Sequence, residues 1–180
     1  MKDKTIVIYK SKTGFTKKYA EMIASELCCP IIDYKTVTPE TMSGYDTVIF
    51  GCRAHAGRMD GYTKIKEMFQ NSSSKHFLVF VTGATPNAAE DIIQEFWKQN
   101  LSAEELKTIP HFYMQSGLCY EKMSLSDKAM MKMFSAMLKK KQDKNDYEKN
   151  FEHAIAGSYD ISSKEYIMPL LSFLEENQYN

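Results

Sequence analysis

Thr5-Ile6-Val7-Ile8-Tyr9-Lys10-Ser11-Lys12-Thr13-Gly14-Phe15-Thr16 is the stretch whose reading decides the fold. Thr5 to Tyr9 are β-branched or aromatic with no polar alternation, the pattern of a strand buried on both faces, as in a parallel sheet. After Thr16, residues Tyr19, Met22, Ile23 and Leu27 recur at helical spacing. A hydroxyl-rich turn therefore joins the carboxyl end of a strand to the amino end of a helix. The backbone N–H groups of a helix start point outward, and the helix dipole there favours an anion. Ser11, Thr13 and Thr16 add hydroxyls, and Gly14 allows a close backbone approach. No Gly-Lys-Ser/Thr closes the turn, so it is not a Walker loop. Its single glycine also falls short of the dinucleotide fingerprint. The same residues read equally as an ordinary βα turn with Thr16 as N-cap, and both readings stand at this point.

Outward from this stretch, helix one should end near Leu27, before Cys28-Cys29-Pro30. Ile31 to Tyr34 reads as a second strand and Thr36 to Gly44 as a polar connection. Thr47-Val48-Ile49-Phe50-Gly51 is another doubly buried strand, followed by a loop, Cys52 to Gly61, and a helix, Tyr62 to Phe69. His76 to Thr82 is the clearest strand, with Gly83-Ala84-Thr85-Pro86 as its exit loop. Asn87 with Glu90 predicts a capped helix carrying Ile92, Ile93, Phe96 and Trp97, and Ser102 with Glu105 predicts a short one. Phe112 to Gln115 is the fifth strand, entering Ser116-Gly117-Leu118. Strands alternating with helices imply a right-handed parallel α/β sheet, which binds ligands outside the carboxyl ends of its strands.

The remainder reads as an insertion, about residues 120–161, within a single domain spanning 1–180. Ser126 to Lys141 predicts a helix with Ala129, Met130, Met133, Phe134, Met137 and Leu138 on one side and Lys139-Lys140-Lys141 at its end. That side reads as core packing, or as a surface for a membrane or substrate. Gln142 to Asn150 is highly charged and reads as a mobile loop or a frayed helical continuation. Ser162 with Glu165 caps a last helix through Leu174, in which Pro169 implies a kink or a later start.

The 23 basic and 23 acidic side chains of the 180-residue chain cancel, so bulk charge gives no reason to expect nucleic-acid binding. Met1-Lys2-Asp3-Lys4 leads straight into a strand, with no signal-peptide core and no run of about 18 apolar residues. The expectation is a cytoplasmic protein. Cys28, Cys29, Cys52 and Cys119 lack metal-ligand spacing, so no metal site is expected and the thiols read as reduced and buried or half-buried.

Ser11-x-Thr13-Gly14-x-Thr16 directly after an amino-terminal strand resembles the phosphate loop of flavodoxins. The resemblance implies a three-layer sandwich of flavodoxin-like fold, with a five-stranded parallel sheet in the order 2-1-3-4-5. It implies FMN, its phosphate held by hydroxyls and amides from Ser11, Lys12, Thr13, Gly14, Phe15 and Thr16. The ring would be bordered by Cys52, Arg53, Ala54, His55, Ala56 and Gly57, and by Thr82, Gly83, Ala84 and Thr85, with Ser116 and Gly117 nearby. Many flavodoxins flank the ring with Trp or Tyr; these loops offer Arg53, His55 and Arg58 instead. Two unit charges about 6 Å apart interact by roughly 3 kcal/mol at an effective dielectric near 20, on the order of 100 mV for a one-electron step. Arg53 or His55 would thus stabilise reduced flavin.

Ser116-Gly117-Leu118-x-Tyr120, the Met/Lys-rich helix and the Ser162 to Leu174 ending are similar to the flavodoxin-type, quinone-dependent protoporphyrinogen oxidases. So is Tyr45-Asp46-x-Val48-Ile49-x-Gly51 with its Arg- and His-containing loop. This resemblance implies an FMN oxidoreductase, with a porphyrinogen-type substrate, a quinone or redox partner as acceptor, and peripheral membrane contact through residues 126–141. The alternative is a non-catalytic electron carrier for a protein partner. A remote one is a cysteine phosphatase, from Cys52-x5-Arg58 with Asp60 as acid. A receiver-type signalling domain is excluded, because Phe50-Gly51 stands where it needs an Asp.

Overall fold

Apolar runs become strands here because they are covered on both faces. The computed structural model describes residues 4–144, 149, 152 and 154–177. Its strands up to Ser116 are β1 (Thr5–Tyr9), β2 (Ile31–Asp33), β3 (Thr47–His55), β4 (Arg58–Met59), β5 (His76–Gly83) and β6 (His111–Gln115). They form one sheet in the order β2-β1-β3-β5-β6, all parallel, with β4 turning back antiparallel on β3. This is the predicted order of the five parallel strands. The chain divides into two compact units: one runs up to Ser116 and resumes at Ser162, the other is Gly117–Ile161.

In the first unit, strand side chains alternate between two apolar layers. Ile8, Phe50 and Val79 pack with Tyr62 and Ile65 of α3 (Tyr62–Gln70) and with Ile93 and Trp97 of α4 (Glu90–Asn100). Val7, Ile49 and Phe80 pack on the other face with Tyr19, Ala20 and Ile23 of α1 (Phe15–Leu27). The short α2 (Pro39–Met42), capped by Thr38, lies in the Thr36–Gly44 connection, which is not wholly polar because Val37 and Met42 are buried. At Gly51 the sheet tolerates no side chain, since a Cβ would fall 2.0 Å from the Phe80 ring.

The helix ends follow local chemistry, with two corrections. Ser102 and Glu105 do form a reciprocal cap on α5 (Glu105–Thr108): each backbone N–H donates to the other's side chain. The Asn87–Glu90 cap does not form. Asn87 instead exchanges hydrogen bonds with Gln115, its N–H donating to Oε1 and its Oδ1 accepting from the Gln115 N–H, both at 3.1 Å, and α4 starts at Glu90 without a side-chain cap. Thr16 is not the N-cap of α1 either; Gly14 is, in the left-handed region at φ 103°.

The second unit pairs β7 (Gly117–Leu118) with β8 (Tyr159–Asp160) and carries α6 (Leu125–Lys140), capped by Ser124 through the Asp127 N–H. The core-packing reading of its Met-rich side fails: Leu125 is 86% exposed, Met133 62% and Met137 63%, and only Leu138 of that side is buried. Of the charged stretch Gln142 to Asn150, residues 145–148 and 150 lie outside the described residues. After Ser162 a 3-10 turn, Lys164–Ile167, precedes α7 (Met168–Glu176), so Pro169 marks a later helix start, in the first turn where proline is tolerated.

Gly51→Ala should lose about 3 kcal/mol of unfolding free energy in urea, because the Phe80 ring cannot leave its layer. Glu105 yields a pH signature. It accepts from Tyr62 Oη at 2.8 Å and from Lys66 Nζ and the Ser102 N–H at 2.7 Å. Burial alone would raise its carboxyl, but these donors outweigh it and hold the pKa at about 2. The folded value lies below the unfolded one, near 4.3, so the stabilisation is complete above that value and is lost as pH falls towards 2. Glu105→Gln should therefore cost about 1–2 kcal/mol at pH 7. The gap from wild type should close in urea titrations below pH 3.

Candidate cofactor site at the carboxyl edge of the sheet

The chain leaves β1 for β2 on one side and returns to β3 on the other, so the crevice between the carboxyl ends of β1 and β3 is where the strand order reverses. The amino end of α1 lies at this edge because α1 follows β1. Gly14 supplies the left-handed turn into the helix, and its N–H donates to Ser11 Oγ at 3.1 Å, which shapes the loop. Thr16 is buried; its hydroxyl meets that of Thr82, at the end of β5, at 2.8 Å. Thr13 and Phe15 are half-buried and Lys12 is exposed.

The segment Cys52 to Gly57 is not a loop. β3 runs on to His55, turns through Ala56 (φ 48°) and Gly57 (φ 75°), and pairs back as Ala54↔Met59 and His55↔Arg58. Positive φ at both turn residues is the hairpin turn whose twist matches that of its strands. Asn100 of α4 clamps the hairpin, donating to Gly57 O at 2.9 Å and accepting from the Met59 N–H at 3.0 Å. Arg58 Nη1 donates to Gln99 O at 2.8 Å. Cys52 is wholly buried in the α3–α4 layer, and burial, reinforced by the nearby Asp60 carboxylate, pushes its thiol far above the usual range. This removes the phosphatase alternative: a thiol buried in a strand, with its Arg tied to a helix end, has no cradle around it.

Arg53 is not an isolated cation. Its Nε donates to Asp60 Oδ2 at 3.2 Å, while Lys10 Nζ donates to Asp60 Oδ1 at 2.7 Å. Burial works to raise the Asp60 carboxyl, but these two cations overcome it and hold the pKa below the ordinary range. Lys10 Nζ also lies over the Tyr34 ring, 5.0 Å from its centroid. The cluster bridges the exits of β1 and β3, where the Lys10 N–H donates to Gly51 O at 2.8 Å. Arg53 stands beside Thr82 in register. His55, half-buried, ends the strand.

At the exit of β5, Gly83 O accepts from both the backbone N–H and the hydroxyl of the buried Ser116. Ala84 and Thr85 are partly exposed. Ala54, Gly57, Thr85, Ile92, Phe96 and Tyr113 line a cavity of about 470 Å3 between the hairpin and α4. Gly117 lies in β7 of the second unit, where a Cβ would come within 2.1 Å of Tyr159 O. At the carboxyl edge Thr16 meets Thr82 and Ser116 meets Gly83, while Cys52 lies in the α3–α4 layer. The sequence does not place Lys10, Asp60 or the Asn87–Gln115 pair at this site: Lys10 and Asp60 look like loop residues, Asn87 like a helix cap and Gln115 like a strand end until the neighbouring strands are placed beside them.

FMN fits the chemistry of this donor set. Among the described residues no side chain caps the amino end of α1 and no acidic residue lies in its first turn, so no carboxylate there opposes a phosphate. Gly14 and the hydroxyl residues Ser11, Thr13 and Thr16 supply the close approach and neutral donors the group needs.

A sequence profile described as the flavodoxin domain matches residues 6–145. No curated protein sequence matches. Among solved structures, a flavodoxin, WrbA-like protein from Agrobacterium tumefaciens is 16% identical, over 86% of this chain and 96% of its own, with a TM-score of 0.40. Oxidised flavodoxin 1 from Bacillus cereus is 19% identical, over 74% of this chain and 95% of its own, with a TM-score of 0.40. Rubredoxin oxygen:oxidoreductase from Desulfovibrio gigas is 14% identical, over 85% of this chain and 36% of its own, with a TM-score of 0.39. The profile spans more than half of the chain; the protein belongs to the flavodoxin family, whose cofactor is FMN.

Proposed function

We propose that the protein is an FMN-dependent oxidoreductase, taking electrons from a reduced, porphyrinogen-type donor and passing them to a quinone or a redox partner. FMN, when bound, supplies the redox chemistry; the chain binds it, orients it and sets the charge around it. Ser11, Thr13, Gly14 and Thr16 hold the phosphate. Backbone from Cys52 to Gly57 and from Gly83 to Thr85 borders the ring, and Arg53 and His55 favour its reduced state. The observation that carries this reading over a low-potential shuttle is that Lys10 and Arg53 both stand at the crevice, sharing the Asp60 carboxylate. Cations at that edge favour reduced flavin.

The exposed Leu125, Met133 and Met137 of α6, with Lys139 and Lys140 at its end, support contact with a substrate or an anionic membrane surface. Among the described residues no helix is long and apolar enough to cross a membrane; the association proposed is peripheral, from the cytoplasm. The same apolar face also supports the second reading, an electron carrier docking on a protein partner.

A redox titration separates the two. The enzyme should show one two-electron couple at moderate potential and turn over porphyrinogen in the presence of a quinone. Two resolved one-electron steps, the second very low, with no turnover, would assign the carrier. Thr13→Val should weaken FMN binding by about 1.5–3 kcal/mol, the worth of a hydrogen bond to a charged group, and leave apoprotein stability within about 0.5 kcal/mol. Thr16→Val should weaken binding too, and also destabilise the apoprotein by about 1–3 kcal/mol, because it strands the buried Thr82 hydroxyl. Equilibrium fluorescence quenching of FMN and urea melts read both. Unchanged affinity in both variants would remove the phosphate-loop assignment.

A further inference from the structure

Asp60 sits where neither the phosphate loop nor the ring-bordering strand needs a carboxylate for its own fold. It follows the hairpin, and its backbone N–H donates to Arg53 O at 3.1 Å, which closes the hairpin base without help from the side chain. The side chain reaches instead across the crevice, one oxygen on Lys10 Nζ at 2.7 Å and the other on Arg53 Nε at 3.2 Å. Lys10 immediately precedes the phosphate loop, and Arg53 is the register neighbour of Thr82, whose hydroxyl meets Thr16 of α1. The carboxylate therefore joins the two walls of the cofactor crevice. The side chains are part-buried, at 37%, 25% and 17% exposure for Lys10, Asp60 and Arg53, so solvent screens their field only in part.

We infer that Asp60 is a positioning residue that sets the redox poise of the cofactor, holding Arg53 and Lys10 in place and offsetting one unit of their positive charge. This rests on the reading that the flavin ring lies against Arg53. Charge counting fixes the direction of each change. Removing the carboxylate charge makes the crevice one unit more positive, which favours the reduced, more negative flavin. Removing the Arg53 charge makes it one unit less positive, which favours the oxidised flavin. Removing both leaves the net charge as in wild type. A carboxylate that only braced the hairpin would change stability in these variants and would not produce opposite signs.

The test uses the full-length, FMN-loaded protein and two readouts, the dissociation constant of oxidised FMN and the midpoint potential. Together they give the affinity ratio of reduced to oxidised cofactor. Asp60→Asn should shift that ratio about tenfold towards reduced FMN, which for a two-electron couple is about 30 mV upward. Arg53→Gln should shift it by a similar factor the other way. The double variant should return to within about threefold of wild type. Asp60→Glu should stay near wild type as the conservative rescue. If Asp60→Asn does not fold, the opposite shift in Arg53→Gln still tests the charge count. Singles that shift the same way, or a ratio unchanged within twofold while FMN binds and only the thermal midpoint falls, would overturn the inference and leave the flavin assignment intact. A wild-type protein that fails to bind FMN would overturn both, and is recognised before any variant is made.

Discussion

A parallel sheet covered on both faces leaves polar side chains one place to go, the ends of its strands. Among the described residues of the first unit, the buried polar side chains obey this rule. Thr5 and Thr47 begin β1 and β3, Thr82 and Ser116 lie at the carboxyl edge, and Thr16 sits over that edge at the start of α1. The two edges are not equivalent. At the carboxyl edge the strand order reverses, so the crossovers diverge and open a crevice, and the amino end of α1 arrives there by chain connectivity. The site is a consequence of topology before any particular side chain is considered.

The polar contacts along this edge contribute little to holding the fold together. A neutral hydroxyl pair such as Thr16–Thr82 nets about 1 kcal/mol, and a part-exposed ion pair about 0–1 kcal/mol. Packing supplies the rigidity. Gly51 lets the Phe80 ring lie directly on β3, and Asn100 pins the hairpin to α4 with bonds to Gly57 O and the Met59 N–H. The polar residues then occupy fixed positions at small net cost. Their effect is on a ligand, because a group fixed in advance pays no reorganisation when charge arrives.

The strands and helices of the first unit were legible because double burial and helical periodicity leave distinct marks: Thr5 to Tyr9 and His76 to Thr82 admit hardly any other reading. The extension of β3 was not. Arg53 and His55 are polar and Ala56 occupies a conformation that favours Asn or Gly, so a strand pairing only with its own return looked like a loop. The capping pair Asn87–Glu90 misled for a related reason: local geometry offers Asn87 a helix end, but β6 brings Gln115 alongside and the long-range pair wins. The Met-rich stripe of α6 marks a helix face without saying what covers it. Periodicity encodes the direction of a side chain, and burial depends on a partner that the local sequence does not contain.

The hairpin also decides which of two arginines matters. Arg53 and Arg58 stand five positions apart in a segment that, read as a loop, treats them as equivalent cations. In the folded chain Arg58 donates to the carbonyl of Gln99, in the last turn of α4, where a cation is favoured by the exposed carbonyls and the helix dipole. Its charge is spent on holding the hairpin against α4. Arg53 stays in the body of β3, beside Thr82 and against Asp60. With 23 basic and 23 acidic side chains, the chain as a whole sets up little long-range potential, and surface charges are screened within about 8 Å at physiological salt. The electrostatic character of the crevice is therefore set locally, by the charges at its edge, Lys10, Arg53 and Asp60 among them.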